Sequence, residues 1–286
     1  MSQVDEAVLD LTVGEASFLA DVLGVAPPPG LVDPDDEALV IIGEGGRSLT
    51  GSAVKKVAEV VAPGLIERRL VDGEGTVAAP VADLLTVVGS PHLVARAAYE
   101  SGGEMEVRAF TARPEMAVEQ RRLADGRVRF SPFDPAQLVP RILEFVLPNR
   151  VDASVGGEPP ALGGEPEADV DAVPPLVIDC SVAVLDAMFA SDPMSPETAT
   201  AILVSDGVAP AAAELLAGAV CTIQATGSVT MLLRPVDDAV HGVELTWMDA
   251  GSNGLWLTEP SSDPGRRSVE RITMQQLAWR LTDLLP

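Results

Sequence analysis

One motif occurs twice in this chain, and the two copies sit in matching surroundings. Val81-Ala-Asp-Leu-Leu85 returns as Ala212-Ala-Glu-Leu-Leu216. Each copy follows a turn signal, Leu70-Val-Asp-Gly73 in the first case and Leu203-Val-Ser-Asp-Gly207 in the second. Each is followed by strand-like runs and then by an apolar helical pattern ending in Leu-Pro, at Leu147-Pro148 and Leu285-Pro286. A unit this long that recurs once specifies a pseudo-symmetric α+β body rather than a solenoid of short repeats.

Residues 151–175 separate the copies. Gly156-Gly-Glu-Pro159 recurs there as Gly163-Gly-Glu-Pro166, among Asp169, Asp171 and Pro174-Pro175. So little apolar area cannot offset the entropy of ordering a chain, so the composition predicts a flexible acidic linker. The expected organisation is an α+β half over 1–150, the linker over 151–175 and a second α+β half over 176–286.

In the first half, residues 9–13 read as a short strand. A helix follows with Phe18, Leu19, Val22 and Leu23 on one face, stopped by Pro27-Pro-Pro29. A strand is expected at 39–42, and helices at 52–62 and 80–88. The period then changes to two over 93–99, 105–111, 117–123 and 127–130, with Asp125-Gly126 as a tight turn. Asp134-Pro135 opens a helix with the stripe Leu138, Val139, Ile142, Leu143, Val146 and Leu147.

The second half repeats this order: a strand at 176–179, helices at 182–189 and 210–219, strands at 221–225, 230–234, 243–248 and 254–257, and a last helix over 269–284. Superimposing the Leu-Pro ends places Val139, Leu143 and Val146 over Leu277, Leu281 and Leu284.

Charge restricts the partners. The 286 residues carry 43 acids against 19 bases, a net charge of −24. Such a surface repels phosphate backbones, so nucleic acid is not expected as a partner. No apolar stretch is long enough and free enough of charge to span a bilayer, and the N-terminus lacks the basic and apolar regions of a signal peptide. Cys180 and Cys221 are the only cysteines, which suits reduced thiols in a cytoplasmic protein.

Catalytic and cofactor motifs fail on spacing. Gly43-Glu-Gly-Gly46 places Ser48 where a dinucleotide fingerprint needs its third glycine, and Ser52 follows Gly51 where a phosphate-binding loop needs lysine. Asp33, Asp35, Glu37 and Glu44 fit a calcium loop, but Ala38 occupies the position of its glycine. His92 and His241 have no metal-ligand neighbours, and no G-x-S-x-G elbow occurs. No cofactor, metal or catalytic residue is assigned. Trp247 and Trp256 read first as core and second as partner contacts.

The run Gly64-Leu-Ile-Glu-Arg-Arg-Leu-Val-Asp-Gly73, followed by Val81-Ala-Asp-Leu-Leu-Thr-Val-Val-Gly-Ser-Pro91, resembles the EspG family of type VII (ESX) secretion proteins. Strands carrying Arg96, Arg108 and Arg113, the Asp125-Gly126-Arg127 turn, and the pair Leu245-Thr-Trp-Met-Asp249 and Gly254-Leu-Trp256 extend the likeness over most of the chain except the linker. The family's Trp-rich opening helix is represented only by Phe18.

The resemblance implies a central antiparallel sheet flanked by helical bundles, with quasi-twofold halves. It also implies a cytoplasmic chaperone that binds the apolar tip of the PPE protein in a PE–PPE heterodimer and keeps it soluble. Capping an apolar tip is also what a duplicated acidic body without a reaction centre could do. The expected contacts are Pro114, Met116 and Val118 in a hairpin over 112–118, and Leu255, Trp256 and Leu257 in the second half. Two other readings stand beside this one: an enzyme with a carboxylate or nucleotide site near 43–51, and a scaffold that self-associates, including a homodimer when free.

Overall fold

A computed structural model describes residues 8–28, 51–148, 150, 176–190, 194–233 and 241–285. The expected linker, the strand at 39–42, the acidic loop at 33–44 and the glycine run after Gly43 lie outside these residues, apart from Gly51 at the start of a helix.

Each half opens the same way. Strand β1 (Leu9–Leu11) runs directly into α1 (Val13–Leu23), and β6 (Val177–Ser181) runs into α5 (Val182–Ala190). Thr12 makes the first change of direction: its hydroxyl accepts the Glu15 N–H, and the Glu15 carboxylate accepts the Thr12 N–H in return. Ser181 plays the same part three residues before Val184, whose N–H it accepts. These segments, Leu9-Asp-Leu-Thr-Val13 and Ile178-Asp-Cys-Ser-Val182, are a further stretch of the repeat.

Helix α2 (Gly51–Glu67) and α3 (Ala79–Gly89) complete the first helical layer, and α6 (Pro196–Ser205) and α7 (Pro210–Val220) the second. Four strands follow in each half: β2 (Leu93–Ser101), β3 (Glu104–Arg113), β4 (Met116–Arg122) and β5 (Val128–Phe133), then β7 (Ala225–Leu233), β8 (His241–Asp249), β9 (Leu255–Pro260) and β10 (Arg266–Ile272). Helix α4 (Leu138–Val146) closes the first series and α8 (Met274–Asp283) the second. The strands form one antiparallel sheet in the order β1-β5-β4-β3-β2-β7-β8-β9-β10-β6. The order is the same from either edge once β6 to β10 are matched to β1 to β5.

Three readings of the sequence need correction. The expected strands at 221–225 and 230–234 are one strand, β7, which starts at Ala225 after a turn at 221–222. The span 269–284 is not one helix: Arg266–Ile272 alternates as a strand, and Thr273 then caps α8 through a reciprocal box with Gln276. Helix α6 has no counterpart in the sequence reading, although Ser195-Pro196 is a cap followed by a first-turn proline.

The chain also divides into two compact units that cut across the sequence halves. One takes Met1–Ala97, Val107–Leu138 and Thr230–Val243, and the other Ala98–Glu106, Val139–Val229 and Glu244–Pro286. The boundary runs through strands β2, β3 and β8 and divides β7 at Val229.

In the first unit, Leu11, Leu19, Leu65, Leu85, Val118 and Phe130 are buried together. In the second, Cys180, Met188, Leu203, Leu216, Trp256 and Val269 form the corresponding cluster. Burial alone would hold the Cys180 thiol above its ordinary range, and with Asp206 nearby it reaches about 11. Both cysteines are free thiols, and Cys221 is only half-buried.

Arg150 closes the second unit from the end of the first sequence half. Its guanidinium donates to both carboxylate oxygens of Asp249, at 2.9 and 2.6 Å, and to the Gly251 carbonyl at 2.9 Å. Burial opposes the charge on Asp249, but the Arg150 guanidinium and the Gly251 N–H outweigh it, and the carboxyl is held below its ordinary range. A depressed folded-state value stabilises the fold above the unfolded-state pKa of about 3.9 and is lost as pH falls through the folded value. Asp249→Asn is expected to cost about 2 kcal/mol at pH 7, discounted for the partial exposure of Arg150, with the deficit shrinking below about pH 4. Urea titrations of both proteins across that range measure it.

A second prediction follows from packing. A methyl group on Gly227 would stand 2.5 Å from Cζ2 of Trp247, a side chain that is itself buried. Gly227→Ala is therefore expected to lower stability by about 1–3 kcal/mol through overpacking, read from the urea midpoint at unchanged slope.

Candidate protein-binding surface

The β3–β4 hairpin is where the sequence places it. Arg113 faces Met116 in the antiparallel register, which leaves Pro114 and Glu115 as a two-residue turn. Pro114 needs no donor there and suits the first central position of a turn with negative φ. Neither residue has a positive φ. The arm is tied down beside its turn, because Arg113 Nε donates to the Ser90 carbonyl at 2.7 Å beyond the end of α3. Arg108 and Glu119 pair across the strands at 2.8 Å.

The side chains of this hairpin face different ways. Pro114 and Glu115 are exposed, and Met116 is half-buried against the first core cluster. Ala117 and Val118 are fully buried. Of the three contacts expected here, Pro114 and part of Met116 lie at the surface. Val118 does not, because the pleat of β4 turns it into the core.

The second expected group is inside the protein. Leu255, Trp256 and Leu257 are all at most 1% exposed. The Trp256 indole N–H donates to the Asn253 carbonyl at 3.0 Å, so its polar edge is satisfied internally as well. Trp247 is buried too. None of these side chains can meet a partner without opening the sheet, and the expectation that they are contacts is corrected to a core role.

Register explains why. Leu9 pairs with Phe130, which pairs with Gln120, and Val118 lies two residues back along β4. Ile178 pairs with Val269, which pairs with Thr258, and Trp256 lies two residues back along β9. Val118 and Trp256 thus occupy the same position in the two halves, and in both halves that position faces the core.

Two aromatics among the described residues are about half exposed: Phe189 on α5, at 50%, and Trp279 on α8, at 52%, with the Arg280 guanidinium 5.9 Å from the Trp279 ring centroid. The signal for Trp279 was present in the sequence: Gln275, Gln276 and Asp283 surround it at helical spacing, which makes a polar face. Among the described residues no group of three or more His, Cys, Asp and Glu is placed to hold a metal ion. No helix among them is long and apolar enough to cross a membrane.

A clean test separates surface from core. Trp256→Ala is expected to cost about 3–5 kcal/mol through the cavity and the lost indole bond. Pro114→Ala is expected to stay within about 0.5 kcal/mol of the parent. Chemical denaturation of the two variants decides whether β9 is core and the hairpin tip is surface.

No protein-family model matches the chain, and no curated protein matches it. Among solved structures it is similar to the Mycobacterium tuberculosis type VII secretion system chaperone EspG5, solved in complex with the PE25-PPE41 dimer. The TM-score is 0.56 at 14% identity, and the match covers 98% of this chain and 97% of that one. At that identity the likeness establishes the fold: this chain has, from end to end, the α+β architecture of the EspG5 chaperone.

Proposed function

We propose that this protein is a chaperone of a type VII secretion system, which binds a PE–PPE-type heterodimer and keeps it soluble before export. The observation that carries this reading is the end-to-end fold match to a protein solved with a PE–PPE dimer bound. The net charge of −24 supports it, because a carrier of an apolar client must itself stay dispersed. The absence of a membrane-crossing helix among the described residues is in keeping with work in the cytoplasm.

The reading includes a gene duplication as the origin of the two halves, supported by the strand order and by the paired caps at Thr12 and Ser181. It takes the apolar tip of the PPE protein as the contacted part of the client. On this protein it takes the β3–β4 hairpin as one contact, with Pro114 at its tip and Met116 behind it. A rigid, exposed proline on an anchored arm loses little entropy on binding. A homodimer of the free protein would be an idle state in which the same surface is covered.

Co-expression with PE–PPE pairs from the same genome is expected to yield a soluble complex of one chaperone per heterodimer. Recovery of none of the pairs in complex would sink the chaperone reading. Pro114→Asp, a change at an exposed turn position, is expected to lower client recovery about tenfold if the tip is a central contact. Unchanged recovery would remove the hairpin from the interface while leaving the chaperone reading in place. Light scattering of the free protein over a range of concentrations reads the dimer.

A further inference from the structure

The cap geometry of the two halves fixes which residues correspond at the ends of α2 and α6. The Leu70 N–H bonds to the Leu65 carbonyl across the end of α2, and the Val208 N–H to the Leu203 carbonyl across the end of α6. Leu65 and Leu203 are both fully buried. Between them the left-handed residue is Arg69 (φ 59°) in the first half and Gly207 (φ 94°) in the second. Glycine is the residue this cap favours, and arginine adopts it at a cost.

The next landmark also corresponds. Ala78 opens α3 at φ −58°, ψ 135°, and Ala209 opens α7 at φ −59°, ψ 136°. Val77 and Val208, just before them, are both buried. Between the left-handed residue and the cap, the second half has Val208 alone, whereas the first runs from Leu70 to Val77. The Asp72-Gly73 turn therefore lies inside an insertion. It does not match Asp206-Gly207, the turn signal before the second copy of the motif.

The insertion is built and anchored. Val71 bridges to Val77 as an isolated antiparallel pair, and both side chains are buried in the core cluster. The Asp72 carboxylate accepts the N–H groups of Glu74 at 2.9 Å and Thr76 at 2.8 Å. The Leu70 carbonyl accepts the Ala78 N–H at 2.9 Å.

Both departures from the repeat fall in one place. Arg69 and the inserted turn line an open depression of about 420 Å³, with Ile66, Val71, Val77 and Ala78 as its apolar lining. Ile66 is 46% exposed. Among the described residues no carboxylate pairs with Arg69, whereas Arg68 beside it is held by Glu15 at 3.1 Å. Asp72, the acid at the rim, is occupied by its own turn.

We infer that this depression is a docking pocket for a partner protein's segment in which an aliphatic side chain lies next to a carboxylate. The aliphatic group would sit against Ile66, Val71, Val77 and Ala78, and Arg69 would take the carboxylate as a charge-assisted pair. Local charge selects this occupant against the acidic character of the whole chain: Arg69 is kept at a glycine-favouring position without a carboxylate of its own among the described residues. The volume suits one or two side chains. The site lies apart from the hairpin tip in sequence and does not depend on the chaperone reading.

The test is a titration of the full, uniformly 15N-labelled chain with the blocked dipeptides acetyl-Leu-Asp-amide and acetyl-Leu-Asn-amide. The Asp peptide is expected to shift amides of residues 66–78 at millimolar concentration, about tenfold more strongly than the Asn peptide. Arg69→Gly restores the residue found in the other half, so its melting temperature should not fall, and it should erase the difference between the peptides. Equal response to both peptides, a difference that survives Arg69→Gly, or no shift within 66–78 would overturn the assignment. Shifts that appear on concentrating the chain alone and vanish in Arg69→Gly would give the pocket to a second copy, which also overturns it.

Discussion

The fold depends on two edge strands reaching the far end of their own half. β1 pairs with β5, and β6 with β10, so each edge strand closes its half from the opposite end of that half's sequence. The ion pairs across these junctions show how non-local the closure is. Asp10 holds Arg129 through two bonds of 2.9 Å at a separation of 119 residues, and Asp179 holds Arg266 at 3.0 Å across 87. Loop-closure entropy rises only by about 0.6 kcal/mol per doubling of length, so such distances are tolerable once the apolar partners are in place. Those partners are Leu9, Leu11 and Phe130 in one half and Ile178, Cys180 and Val269 in the other. The exposed ion pairs add register more than stability.

Once the edge strand is placed, the helix after it is committed. Thr12 and Ser181 leave the sheet and cap α1 and α5 within one residue, so no loop separates closure from the helical layer. Arg68 reinforces this in the first half by bonding both the Asp10 carbonyl and Glu15. In the second half the Asp206 carboxylate accepts the Ser181 N–H at 2.7 Å, from a residue of the same rank at the end of α6. The sign of the charge is reversed, yet the job is the same. That is why local sequence identity between the halves is faint while their geometry agrees.

This also explains what could be read in the sequence. The Leu-Leu helices, the alternating strands and the Leu-Pro helices were legible because period and apolar content survive substitution. The hairpin at Pro114 and the turn at Asp125-Gly126 were legible because turn chemistry is local. β10 was not, because its alternation, Arg266-Arg-Ser-Val-Glu-Arg-Ile272, has apolar residues only at Val269 and Ile272, and that spacing also fits a helix. Thr273 and Gln276 held the deciding signal. The candidate site was half legible: pattern located the strands at Val118 and Trp256, but which face of a strand is buried follows from register with β5 and β10, and register is a tertiary fact.

The correspondence of Val118 with Trp256 changes where function can reside in such a body. A position that both halves share is held by the packing that both halves need, and Trp256 fills in its cluster what Val118 fills with a smaller side chain. Such a position has little freedom to serve a partner. Freedom lies where one half departs from the other without loss of core, and the ends of α2 and α6 are such a place: Leu65 and Leu203 match, Val77 and Val208 match, and what lies between does not. An arginine in a left-handed cap costs about 1 kcal/mol relative to glycine, and an ordered insertion costs the entropy of each residue it fixes. Val71 and Val77 offset part of the second cost by burial, but among the described residues no ion pair offsets the first. A residue that weakens its own helix end, beside a depression lined by the turn that only its half inserts, is what the inferred docking contact accounts for.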